Sequence, residues 1–183
     1  MSKNTSLILI PGLLCDAELW AHQTETLGDL AKMTVADVTQ EDTISGMAER
    51  ILATAPKHFS LAGLSMGGYV AQEIMRQAPD RVDRLALLDT SATPDTPDRK
   101  KQRKGFIAQL GIGGFRGVTS RLLPFLIHKD RLKDKALTDT IRASAANVGP
   151  DAFVRQQHAI MGRPDGRKSL KKITCPTLVL CGR

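Results

Sequence analysis

The stretch Phe59-Ser60-Leu61-Ala62-Gly63-Leu64-Ser65-Met66-Gly67-Gly68-Tyr69-Val70-Ala71 carries the fold in miniature. Its first half is a short apolar run with the character of a strand buried on both faces. Its second half opens a helix-forming stretch that continues to Ala78. Between them stands Gly63-Leu64-Ser65-Met66-Gly67, a Gly-x-Ser-x-Gly pentapeptide at a strand-to-helix turn. Such a turn forces strained dihedrals on the serine and leaves no room for side chains at the flanking positions, hence the two glycines. Gly68 adds a third small residue for close helix packing. A serine hydroxyl is a poor nucleophile at neutral pH. One that does chemistry must be held exposed beside a general base, with hydrogen-bond donors where negative charge develops. The pentapeptide in this setting makes Ser65 a candidate nucleophile.

Working outward, Ser6 to Ile10 is an apolar run stopped by Pro11-Gly12, and Ala17 to Leu30 has helical spacing with Trp20, Thr24 and Leu27 on one side. Met33 to Val38 predicts a second strand, Ile44 to Ala55 an amphipathic helix, Arg84 to Leu88 a further strand and Thr177 to Cys181 another. Strands alternating with helices predict an α/β fold: a mostly parallel sheet of about five strands flanked by helices. From Asp95 to Lys172 that rhythm breaks. No strand is evident, and helical pieces are separated by Gly111 to Gly117, Pro124 and Gly149-Pro150. The expected organisation is therefore a core segment 1–94, an inserted helical cap 95–172, and a late core strand in 173–183.

The chain has a formal net charge of +7, and its excess is confined to the insert, where 18 Lys and Arg face 7 Asp, a net of +11 against −4 elsewhere. A run such as Arg99-Lys100-Lys101-Gln102-Arg103-Lys104 has the pattern of a solvated helix face. Its sharper reading is a basic cap that steers anionic substrates or an acidic surface toward a site. Nucleic acid is not expected as a partner: aromatic residues make up 4% of the chain, and no nucleic-acid-binding motif occurs. Three cysteines, Cys15, Cys175 and Cys181, have no framework spacing. With no signal-peptide pattern and no apolar run long enough to span a bilayer, a cytoplasmic protein without membrane association is expected. Cysteines and histidines show no metal-ligand spacing, so neither metal nor cofactor is expected.

Three further stretches carry a resemblance. Ile8-Leu9-Ile10-Pro11-Gly12-Leu13-Leu14-Cys15 followed by Trp20, Gln77 to Val82 before Leu85-Ala86-Leu87-Leu88-Asp89-Thr90, and Ile173 to Gly182 resemble, with the serine pentapeptide, successive segments of the α/β-hydrolase superfamily. The resemblance implies a cofactor-free serine hydrolase acting on a small ester or related acyl substrate through an acyl-enzyme on Ser65. It implies an oxyanion hole made by the backbone N–H groups of Met66 and Leu13. Pro11 departs from the histidine more common there, which bears on loop support, since the donors are backbone groups. The superfamily's triad runs serine, acid, histidine, with the acid usually just after the strand that here ends near Cys181. On that reading the chain is expected to be a fragment lacking the last strand, helix and histidine loop, with Leu178 to Cys181 at or near an open sheet edge. Asp89, after the strand that follows the nucleophile helix, is the alternative acid. Turn chemistry favours instead a role ordering Thr90 and Ser91. None of His22, His58, His128 and His158 is identified as the triad histidine. The alternative from a different class is a non-catalytic binding or interaction protein that uses the same pocket or the basic cap.

Overall fold

A computed structural model describes residues 5–120 and 122–182. The ends of the first and last segments, and Arg121 of the insert, lie outside the described residues. Five strands, β1 (Ser6–Ile10), β2 (Lys32–Val35), β3 (Phe59–Leu64), β4 (Val82–Leu88) and β5 (Thr177–Leu180), form one sheet in the order β2-β1-β3-β4-β5. Every pairing is parallel, with Leu9 opposite Ala62, Ile10 opposite Gly63, and Gly63 opposite Leu87.

The strand side chains alternate between two faces, as a two-residue period requires. Ile8, Ile10, Leu61, Leu85 and Leu87 join one cluster with α2 (Ile44–Thr54) and α3 (Met66–Gln77), whose Met47, Ala48, Ile51, Val70, Ala71 and Ile74 are buried there. Leu9 and Ala62 point the other way, toward the buried Trp20, with Leu7, Leu64, Ala86 and Leu88 packed around them. β3 lies at the centre and buries Phe59 to Gly63 without a break. β5 is an edge, and Leu178, Val179 and Leu180 are exposed.

Chain order reverses between β1 and β3, so their following loops run to opposite sides and leave a crevice at the carboxyl ends of these strands. That crevice holds the serine turn.

Two local expectations need correction. The helix expected from Ala17 to Leu30 is a 3-10 turn at Ala17–Trp20 followed by α1 (Ala21–Thr26), and Leu27 is exposed. Gly28 follows directly, and its backbone entropy disfavours helix continuation. The second strand stops at Val35, which frees the backbone of Val38 for a bond described below.

The insert contributes α4 (Pro97–Gly113), α5 (Lys135–Gly162) and α6 (Arg167–Leu170). α5 is broken at Gly149 (φ 76°), directly before Pro150. Its second half supplies Ala159 and Ile160 to the main core. Its first half, with Val118 and Leu123, packs Ala145 against Leu14 and Phe153 in a second cluster. Leu13 borders both clusters, so the loop after β1 runs where insert and sheet meet.

Candidate active site

Ser65 has φ 53° and ψ −111°, a conformation that costs energy at any non-glycine residue and persists only where its surroundings enforce it. They do so on both sides. The Ser65 N–H donates to the Leu88 carbonyl at 2.9 Å, tying the turn to β4. The Ser65 carbonyl accepts from the Gly68 N–H at 3.0 Å and from the Thr90 hydroxyl at 2.8 Å. The glycines leave no alternative residue: a Cβ on Gly63 would overlap the Gly67 carbonyl, one on Gly67 the Ile10 carbonyl, and one on Gly68 the Thr90 side chain. The serine is thus lifted out of the end of β3 on a turn wedged between β1, β4 and its own helix.

The loop after β1 passes beside it. A Cβ on Gly12 would stand 3.6 Å from the Ser65 Cβ and 3.4 Å from the Leu64 side chain. Leu14 is held at φ 60°. Its N–H donates to Oε1 of Gln156 at 3.1 Å, and the Cys15 N–H turns back to the Gly12 carbonyl at 3.2 Å. Met66, fully buried, opens α3 immediately after the serine. The loop after β1, through Gly12, and the start of α3, at Met66, therefore both lie against Ser65. The Cys15 thiol is pushed up to about 11, mainly by burial and further by the Asp16 charge, against a lowering bond from Gly12. It is protonated at neutral pH.

Asp89 lies at the end of β4 with φ 42° and is exposed. Its N–H donates to the Leu180 carbonyl at 2.9 Å, and its Oδ1 accepts from the Gly182 N–H at 2.7 Å. Through that same carboxylate, by hydrogen bond and charge, the Cys181 thiol is held above its ordinary value. The local turn partnership expected with Thr90 and Ser91 is replaced by a tie to the neighbouring strand's end, because β5 pairs in parallel beside β4. All four histidines are exposed. His58 faces Asp83 at 3.6 Å and His128 faces Asp130 at 3.4 Å, and among the described residues no hydrogen bond joins any of them to Ser65. Among the described residues no group of three His, Cys, Asp or Glu side chains could hold a metal ion, and no helix is long and apolar enough to cross a membrane.

No family model matches the chain. It is 32% identical over 96 residues to the pimeloyl-[acyl-carrier protein] methyl ester esterase of Pectobacterium carotovorum subsp. carotovorum, a match covering 48% of this chain and 38% of that protein. It is 28% identical over 192 residues to the protein of the same description from Citrobacter koseri, covering 98% of this chain and 75% of that one. A solved thermophilic esterase from Thermogutta terrifontis, malate bound, superposes with a TM-score of 0.84 at 27% identity over all of this chain and 72% of its own. The chain has the α/β-hydrolase fold and is similar to esterases. The match spans well under two thirds of the Pectobacterium protein's length.

Sequence reasoning missed a polar cluster that bonds the segment between β4 and β5 to α3. Asp95, its side chain fully buried, sits between Arg103 of α4, at 2.6 Å, and Arg163 just after α5, at 2.9 Å. Burial alone would raise its pKa, but hydrogen bonds and charges from Arg163 and Arg103 outweigh this and hold it below the ordinary carboxylate value. Arg163 also lies over the Tyr69 ring, 4.2 Å from its centroid, and so reaches the first turn of α3. Arg103 is therefore not part of the solvated face that its neighbours Arg99, Lys101 and Lys104 form.

Proposed function

We propose that this chain belongs to an esterase that hydrolyses small carboxylic esters through an acyl-enzyme on Ser65. The observation that carries the reading is the enforced φ of 53° at Ser65, on an elbow whose three glycines are each required by contact. In this reading the Ser65 Oγ attacks the ester carbonyl carbon while its proton passes to a base. The carbonyl oxygen becomes an oxyanion received by the N–H groups of Met66 and Leu13. Collapse of the tetrahedral intermediate expels the alcohol, which takes the proton, and water then releases the acid by the same steps in reverse. The superfamily assigns the base to a histidine oriented by an acid; Asp89 remains the candidate acid within this sequence, and none of its four histidines is assigned the base. The α4–α5 insert forms the cap over the acyl side, where Leu13, Leu14 and Phe153 meet. Relatives whose names specify a methyl ester of an acyl group support a carboxylic ester substrate.

The test uses the full chain that the gene encodes, assayed for fluorophosphonate labelling and for p-nitrophenyl butyrate turnover, beside Ser65→Ala. Labelling should vanish and turnover should fall by at least about 10³-fold in the variant. A folded Ser65→Ala protein that still labels and turns over ester would overturn the proposal.

A further inference from the structure

Gln156 is fully buried, on the second half of α5. A buried primary amide must spend its hydrogen bonds inside the protein, and this one spends them on backbone from two other segments. Its Oε1 takes the Leu14 N–H at 3.1 Å, and its Nε2 donates to the Val38 carbonyl at 3.2 Å. One side chain thereby ties the insert to the loops that follow β1 and β2. Among the described residues Leu14 is one of three non-glycine residues held at positive φ, and a strained peptide relaxes unless something holds it. A second tether lies two residues on, where the Asp16 carboxylate accepts from the Ser144 hydroxyl at 2.7 Å and the Asn147 amide at 3.1 Å. Those partners stand on the first half of α5, across the Gly149 break from Gln156. The loop is thus gripped by both halves of a bent helix. The Leu14 and Cys15 N–H groups are committed inside the protein, whereas among the described residues the Leu13 N–H has no hydrogen-bond partner.

We infer that Gln156 is a positioning residue that sets the oxyanion donor at Leu13, with Asp16, Ser144 and Asn147 as its second anchor; the inference rests on the esterase reading above. The Leu13 and Leu14 peptides are consecutive, so freeing the Leu14 N–H lets the Leu13 N–H swing away from where the oxyanion forms. The substrate's ground-state carbonyl depends much less on that donor, so kcat should fall while KM holds.

The test compares Gln156→Leu, which keeps volume and removes both bonds, and Asn147→Ala, which removes an exposed anchor and leaves the core intact, with the unaltered full chain. Gln156→Leu should lower kcat roughly 10- to 100-fold, since a misplaced donor costs less than a deleted one. Its KM should stay within about twofold, and phenylboronic acid, which forms a tetrahedral adduct on the serine, should bind more weakly by the same factor as kcat/KM falls. Asn147→Ala should show the same pattern at roughly 2- to 5-fold. Folded variants with unaltered kcat and boronate affinity would overturn the inference, and if Gln156→Leu does not fold, Asn147→Ala alone decides it by the same criterion. Ser65→Ala separates the two claims: if it stays active the esterase reading fails, whereas if it is dead while the tether variants are unimpaired only the positioning role fails.

Discussion

Replacing Asp95 by Asn tests how firmly the insert is bonded to α3. The carboxylate is fully buried, 2.6 Å from Arg103 and 2.9 Å from Arg163, and the Arg163 side chain is itself only 4% exposed. An amide of equal size keeps the packing, removes the charge and turns an NH₂ group toward one of the two guanidinium groups. Breaking a buried pair from one side costs about 3–5 kcal/mol, chiefly for the charge left unpaired. Arg163 retains the Thr93 carbonyl at 3.1 Å, the Ile160 carbonyl at 2.8 Å and the Tyr69 ring, which places the loss near the lower end. About 3 kcal/mol in a domain of this size corresponds to a Tm lower by about 6–12 °C, measurable by scanning calorimetry at pH 7. The pH dependence has a definite sign. Asp95's folded pKa lies below its unfolded value, so its contribution is fully present above the unfolded value and fades as pH falls through the folded one. The Tm gap should therefore be constant above about pH 5 and close as the pH drops below about 4. A gap under about 2 °C at pH 7, or one that widens in acid, would refute the reasoning.

Other consequences can be checked in parallel. Gly67→Ala would press a methyl group onto the Ile10 carbonyl; a loss of about 2–3 kcal/mol in urea unfolding is expected, and an unchanged midpoint would contradict the contact. Thr90→Val removes a hydroxyl bonded to the Ser65 carbonyl, which keeps its Gly68 donor, so stability should drop by about 1 kcal/mol and ester turnover by a few-fold. With its thiol displaced to about 11, Cys15 should resist iodoacetamide at pH 8 over times that alkylate small-molecule thiols, as peptide mass mapping would show. If the insert's net positive charge steers substrate, kcat/KM for an ester bearing a carboxylate should fall roughly 3- to 10-fold between about 20 and 200 mM salt, while a neutral ester of equal size barely changes.

The parts of the molecule legible in the sequence are those whose cause is local. Gly63 and Gly67 sit two residues either side of Ser65 and mark the turn within one strand-to-helix unit, although only Gly63's contact is internal to that unit, Gly67 being confined by the Ile10 carbonyl and Gly68 by Thr90. The parallel sheet follows from apolar runs at strand length alternating with helical spacing, a signal in which each element is its own evidence. The insert's grip on the active-site loop has no such local cause. Gln156 and Leu14 stand 142 positions apart, and nothing in Val154-Arg155-Gln156-Gln157 separates the buried amide that holds a strained peptide from one facing water. Arg103 carries the same charge as its neighbours in an exposed run, and only the approach of Asp95 selects it.

This division has a functional consequence. The serine's own geometry is held by the sheet core, through its own turn, Ile10 of β1, Leu88 of β4 and Thr90 just after it. One of its two proposed oxyanion donors is written in the distant insert, through bonds from a bent helix. Reshaping that insert for a different acyl group therefore cannot be neutral for the chemistry unless Gln156, or a group with the same donor and acceptor, continues to reach both Leu14 and Val38.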